Sequence, residues 1–159
     1  MPGKKGEEVI LSHQVIFFII VSVILVLDRV SKILVTKYLS LNSSVPLIKG
    51  VFHISLVHNR GGAFGLLRNQ LPFFILTSLV AVILIWRSLR ADKHNKVYTI
   101  ALSLILAGAL GNLIDRVFYG YVIDFLDFRI WPVFNVADSA ITVGALILGW
   151  GIIFNKNAS

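Results

Sequence analysis

At 159 residues, with 57% hydrophobic and only 14% charged side chains, the chain is one domain at most and too apolar for an ordinary soluble fold; it has the composition of a multi-span membrane protein. Its formal net charge of +7 comes from basic residues scattered without a Lys/Arg run, which disfavours a nucleic-acid partner and suits helix ends facing anionic membrane lipid. Cysteine is absent, which excludes disulfides, thiolate nucleophiles and Cys-based metal sites, and no HExxH, GxSxG, P-loop or GxGxxG motif occurs.

Met1 to His13 is polar. Lys4 and Lys5 ahead of an apolar run give the outline of a signal peptide. Glu7 and Glu8 follow, however, the run is long, and no small-residue cleavage site closes it, so a retained first span is expected over Val15–Val35. Its last third carries Asp28, Arg29 and Lys32. The mixed segment Leu39–Gln70 contains two alternating stretches, Val45–Ile48 and Val51–Val57, which read as short strands with Pro46 and Gly50 as breakers. Asn59-Arg60-Gly61-Gly62-Ala63-Phe64-Gly65 follows them. Further spans are predicted over Leu71–Trp86, opened by Pro72, over Val97–Ile114 and over Val136–Phe154. Arg87, Arg90, Lys93 and Lys96 crowd the short connection between the second and third spans, which places that loop and both termini in the cytoplasm.

With that topology Asp28, Asp115, Asp124, Asp127 and Asp138 all fall at the outer membrane face. A carboxylate near a bilayer core costs roughly 2.5–3.5 kcal/mol even on mild insertion scales, so such a gathering marks a working site. Asp124 with Asp138 is the favoured pair: two close carboxylates share one proton, one then serving as base on a water and the other as acid. Asp127 rivals Asp124, and spacing alone does not separate them. Asp138 also has the position of a helix-capping partner for Asn135. Asn112, Asp115 and Arg116 share one helix face, where Asp115 reads as a structural ion pair closing the third span. Asp28 and Lys32, at i and i+4, read as a salt bridge snorkelling to the interface. Asn59 before Gly61 reads as a turn or as a loop open to close approach by another chain. Ala107, Gly108, Ala109 and Gly111 give the third span a small-residue packing surface. A proton-coupled small transporter or channel subunit is the alternative; it needs acidic residues through the depth of the spans.

Asn59-x-Gly-x-Ala-Phe-Gly65, Gly111-Asn-Leu-Ile-Asp-Arg116, Val122-Ile-Asp-Phe125, Phe134-Asn-Val-Ala-Asp-Ser139 and Asp28-x-x-x-Lys32 together resemble, in order, the motif set of bacterial lipoprotein signal peptidase, or signal peptidase II. Gly62 stands where that family commonly has Ala. The resemblance implies an integral-membrane, mainly α fold spanning the whole chain as one peptidase domain, with four transmembrane helices, a small extracytoplasmic β-sheet and a surface amphipathic segment. It implies a globomycin-sensitive aspartic endopeptidase of the inner membrane, without cofactor or metal and active as a monomer. Its substrates would be diacylglyceryl prolipoproteins, cut just before the lipidated cysteine. Carried over, Asp124 and Asp138 are catalytic, Asn59, Gly61, Asn112, Arg116 and Asn135 bind substrate or line the site, and Asp28, Lys32 and Asp115 are structural.

Overall fold

The computed structural model describes residues 3–61, 69–90 and 96–154. In chain order they form α1 (Gly3–Tyr38), β1 (Ser44–Ile48), β2 (Phe52–Asn59), α2 (Leu71–Arg90), α3 (Lys96–Tyr119), β3 (Val122–Asp127) and α4 (Val136–Phe154). Three helical stretches, Leu71–Leu89, Lys96–Tyr119 and Val136–Phe154, are long and apolar enough to cross a membrane; even 19 helical residues reach about 28 Å. The first helix is longer than the expected Val15–Val35, since no Gly or Pro interrupts the chain between Glu7 and Tyr38. Large apolar side chains such as Phe18, Ile33, Leu76, Leu84, Leu146 and Ile153 lie exposed on the helices. Such a surface suits lipid rather than water.

The most buried helix is α3, which packs mainly on α4 and also on α1 and α2. Small residues set these contacts. A Cβ on Gly108 would collide with the Ala137 carbonyl oxygen, and one on Gly144 would meet the Ala101 carbonyl oxygen at 2.7 Å. Both glycines let backbone approach backbone, the usual basis of helix association in lipid. Gly149, on the same helix as Gly144, has nothing within 4 Å of its would-be Cβ. Gly144→Ala therefore lowers stability by about 1–3 kcal/mol, whereas Gly149→Ala raises it by up to about 1 kcal/mol through helix propensity; thermal unfolding in detergent micelles measures both.

At one end of the bundle lies a three-stranded antiparallel sheet in the order β1-β2-β3. Gly50, at φ +75°, turns the chain between the first two strands. Val35 of α1, Leu56, Ile123 and Phe125 form a small core beneath the sheet, with Leu39, Ile54, Tyr121 and Val136 packed around it. The first two strands agree with the sequence pattern within a residue or two at each end. The third is new: the segment carrying Asp124 and Asp127 is a strand, where the sequence pattern gives only a connection. Among the described residues of the expected outer segment 39–70 there is no surface helix before Asn59. Gly62, Ala63, Phe64, Gly65 and Arg68, and Lys93 of the basic loop, lie outside the described residues.

Candidate active site

The strand assignment separates the two rival aspartates. Side chains alternate across a sheet, so residues three apart on one strand face opposite sides. Asp124 is 2% exposed. Its Oδ2 accepts a hydrogen bond from Asn59 Nδ2 at 2.9 Å and its Oδ1 one from Asn135 Nδ2 at 2.7 Å. The register explains the first contact: Val57 lies opposite Asp124 and Asn59 opposite Val122, so Asn59 is a same-face diagonal neighbour. Asn59 Oδ1 accepts from the Gly61 backbone N–H at 2.9 Å, which fixes the amide so that Nδ2 points at Asp124. One side chain thus bonds the Gly61 turn and Asp124. Asp127 instead accepts from Ser55 Oγ at 2.8 Å, from the Arg129 backbone N–H at 2.8 Å and from the Arg129 guanidinium at 2.9 Å.

Asp138 comes to the same place from α4. Asn135, wholly buried, caps that helix: its Oδ1 accepts from the Asp138 N–H at 2.8 Å, and its own N–H donates to Asp138 Oδ2 at 3.3 Å. This is a reciprocal capping box. Asp138 Oδ1 accepts from Asn112 Nδ2 at 2.7 Å, and Asn135 Nδ2 also donates to Asn112 Oδ1 at 3.2 Å and to the Ile123 carbonyl at 3.3 Å. Two amides therefore tie the carboxylates together, Asn135 touching both and Asn112 reaching Asp138. The capping role of Asp138 and its place in the site coexist, because different oxygens serve the cap and Asn112.

Behind this array lies a group of four charges, three of them buried and Arg29 partly exposed. Lys32 Nζ is 2.9 Å from Asp28 Oδ2 and 2.7 Å from Asp115 Oδ2; Arg29 is 2.8 Å from Asp28 and 2.7 Å from Asp115. Asp28 and Lys32 are each 1% exposed. The snorkelling expected of this pair is therefore corrected: the i,i+4 bridge exists but points into the bundle, because Asp115 on α3 supplies a second counter-charge that a lysine at the interface would lack. Asp115 likewise turns to α1 rather than to its neighbour Arg116, and its Oδ2 also accepts from the Ile123 N–H at 3.2 Å. Asp28 Oδ1 accepts from the Ala137 N–H at the start of α4, at 3.1 Å. Gly111 leaves room for this carboxylate: a Cβ there would stand 2.8 Å from Asp28 Oδ2. Arg116 donates to the Asn112 carbonyl at 3.5 Å and lies 4.9 Å over the Phe74 ring. Sequence reasoning missed Arg29 as a member of this group; its one signal was adjacency to Asp28.

Electrostatics separate Asp124 from Asp127. Burial, and then the nearby Asp138 carboxylate, push its pKa up to about 7, against the amides of Asn59 and Asn135 and the charge of Lys32, which favour the ionised form. Asp127 moves the other way: burial would raise it, but Ser55 and Arg129 outweigh this and hold it below the usual carboxylate range. A carboxyl that keeps its proton near neutrality beside a second carboxylate has the chemistry of an acid–base pair. An open groove of about 450 Å³ runs past Asp138 along α4, lined by Phe128, Ile130, Trp131, Phe134, Thr142 and Val143 among others. Asp28, Asp115, Asp124 and Asp138 gather at one end of the bundle rather than along its depth, unlike a transport path.

Residues 20–154 match the family model described as signal peptidase (SPase) II. A lipoprotein signal peptidase of Caldanaerobacter subterraneus is 50% identical over 138 residues, 86% of this chain and 94% of that protein. One of Halothermothrix orenii is 44% identical over 131 residues, covering 82% and 90% of the two chains. A solved structure described as a bacterial membrane enzyme superposes with a TM-score of 0.83 at 30% identity, over 90% of this chain and 92% of that one.

Proposed function

This chain belongs to the signal peptidase II family, a bacterial membrane protease that removes signal peptides from prolipoproteins, and we propose that it is an aspartic endopeptidase whose catalytic pair is Asp124 and Asp138. One observation carries the reading: a buried and a partly buried carboxylate on separate elements are linked through Asn135 and Asn112, and the buried one, Asp124, holds its proton up to about pH 7. The proposed substrate is a diacylglyceryl-modified precursor, cut immediately before the lipidated cysteine. All four long helices cross the membrane in this reading, α1 included, with both termini cytoplasmic, the sheet outside, and a monomer sufficient. The apolar groove beside Asp138 supports a substrate that arrives from the lipid phase.

In the proposed reaction the pair holds one proton. Asp138 lies in the first turn of α4 and receives N–H donors from Asn135 and Asn112; since Asp124 keeps the shared proton, Asp138 takes the role of base. Asp138 takes a proton from water as the oxygen attacks the scissile carbonyl, and protonated Asp124 donates to that carbonyl oxygen. As the C–N bond breaks, the proton on Asp138 passes to the leaving amine and one hydroxyl of the tetrahedral diol returns its proton to Asp124. The resulting acid and amine are the products, and the pair again holds one proton. Asn59 and Asn135 keep Asp124 in place, while Arg116, Asn112 and Gly61 line the substrate's path.

The test is cleavage of a lipidated precursor peptide by purified protein in micelles. Mass spectrometry is expected to place the new N-terminus at the modified cysteine, with a rate unaffected by EDTA. Loss of activity with EDTA and its recovery with a divalent cation would exclude the two-carboxylate mechanism. The sign of the pH effect follows from the shared proton: kcat/KM falls as pH rises through about 7, where Asp124 loses its proton. Asn59→Ala removes a donor to the ionised form, so this alkaline limb moves to higher pH. A limb unmoved, or moved lower, would count against Asp124 as the titrating group.

A further inference from the structure

We infer that Lys32 is a positioning residue for the reaction, acting through the Asn112 amide, in addition to neutralising its two aspartates. The inference rests on the catalytic pairing proposed above. An asparagine amide presents an acceptor on one side and a donor on the other, and rotation by half a turn exchanges them. Asp138 needs the donor. Asn112 Oδ1 is 3.3 Å from the Lys32 ammonium and 3.2 Å from Asn135 Nδ2, while Asn112 Nδ2 donates to Asp138 Oδ1 at 2.7 Å. An ammonium carries donors only, so the rotated amide would set NH₂ against NH₃⁺ and a carbonyl oxygen against a carboxylate. Lys32 and Asn112 are both buried, at 1% and 5% exposure, so no solvent relieves that clash. Asn135 alone is a weaker guide, because its NH₂ is shared among Asp124, Asn112 and the Ile123 carbonyl.

The charged groups facing the array are Asp28, Arg29 and Lys32 from α1, Asp115 and Arg116 from α3, Asp124 from β3 and Asp138 from α4; β2 brings the uncharged Asn59, while its neighbour His58 lies on the opposite face of the strand. Asp28, Asp115, Arg29 and Lys32 sum to zero charge. A purely neutralising Lys32 is therefore interchangeable with Arg29, and a positioning one is not.

Two charge-balanced double variants separate these roles. Lys32→Met with Asp28→Asn leaves the Arg29–Asp115 pair; Arg29→Met with Asp28→Asn leaves the Lys32–Asp115 pair. Both keep an acceptor oxygen for the Ala137 N–H. We expect both to fold, with similar thermal unfolding in micelles. The variant lacking Lys32 is expected to lose about 100-fold in kcat on the lipidated precursor, the scale of a misplaced catalytic group, with KM changed by no more than about twofold. Its alkaline limb moves to higher pH, since a charge favouring ionised Asp124 is gone. The variant lacking Arg29 keeps kcat within about threefold and its pH profile unchanged. Adding Asn112→Ala to the Lys32 variant costs less activity than the same change costs in the parent protein, because the two changes share one route. Equal activity of the two doubles, additive losses with Asn112→Ala, or failure of the Lys32 variant alone to fold would overturn the inference and leave the catalytic pair standing. Full activity of Asp138→Asn in the same assay would remove the pair itself, and this inference with it.

Discussion

Asp124→Asn is expected to yield a folded protein that accumulates uncut precursor, with kcat/KM down by about 10³-fold or more, the scale of losing a principal acid or base. Asparagine matches aspartate in shape, so the strand and its apolar neighbours are undisturbed. It cannot deliver a proton to the carbonyl oxygen or carry the proton that Asp124 holds up to about pH 7. Asp127→Asn is the paired measurement. Asp127 sits on the other face of β3 and accepts from Ser55 and Arg129, and that arginine is half exposed. Losing an ion pair of that kind costs about 1 kcal/mol or less and leaves the cleavage rate within a few-fold. The comparison is made on protein purified to equal folded fraction, with precursor processing read by gel shift or mass spectrometry. An inactive Asp127→Asn alongside an active Asp124→Asn would reverse the assignment.

What the sequence made legible depended on whether each partner was local. Hydropathy marked four spans because a span is a contiguous run, and three of those helices are long and apolar enough to cross a membrane; the first two strands alternate within their own segments. The third strand is defined by a pairing between Asn59 and Val122, far apart in the chain, and no local pattern in Tyr121–Asp127 reveals it. Hence the ambiguity between Asp124 and Asp127: with helical or irregular spacing the two are near neighbours, and only a strand sends them to opposite faces. The same limit applied to the charges. The Asp28–Lys32 spacing announces an ion pair but not its direction, and the direction is set by Asp115 on another helix. Asp115 beside Arg116 suggests a local bridge, yet its partners lie on α1. The cap at Asn135 was readable from Asn135 and Asp138 alone. That its amide also reaches Asp124 required the fold.

Asn135 therefore joins stability and activity in one side chain, and two substitutions separate them. Its Oδ1 caps α4 through the Asp138 N–H, while its Nδ2 spans Asp124, Asn112 and the Ile123 carbonyl. Serine caps a helix about as well as asparagine, so Asn135→Ser keeps stability within about 1 kcal/mol. Its hydroxyl is too short to hold Asp124, so the relative placement of the two carboxylates loosens and kcat falls about 100-fold. Alanine removes both functions. Asn135→Ala is expected to lose similar activity and a further 1–2 kcal/mol or so of stability, from the missing cap and from a partly buried Asp138 N–H left without its acceptor. Thermal unfolding in micelles and steady-state cleavage of the lipidated precursor give the two readouts on the same preparations. A serine variant as active as the parent would mean that the amide does not hold the pair, and that Asp124 and Asp138 are placed by the strand and helix backbones alone.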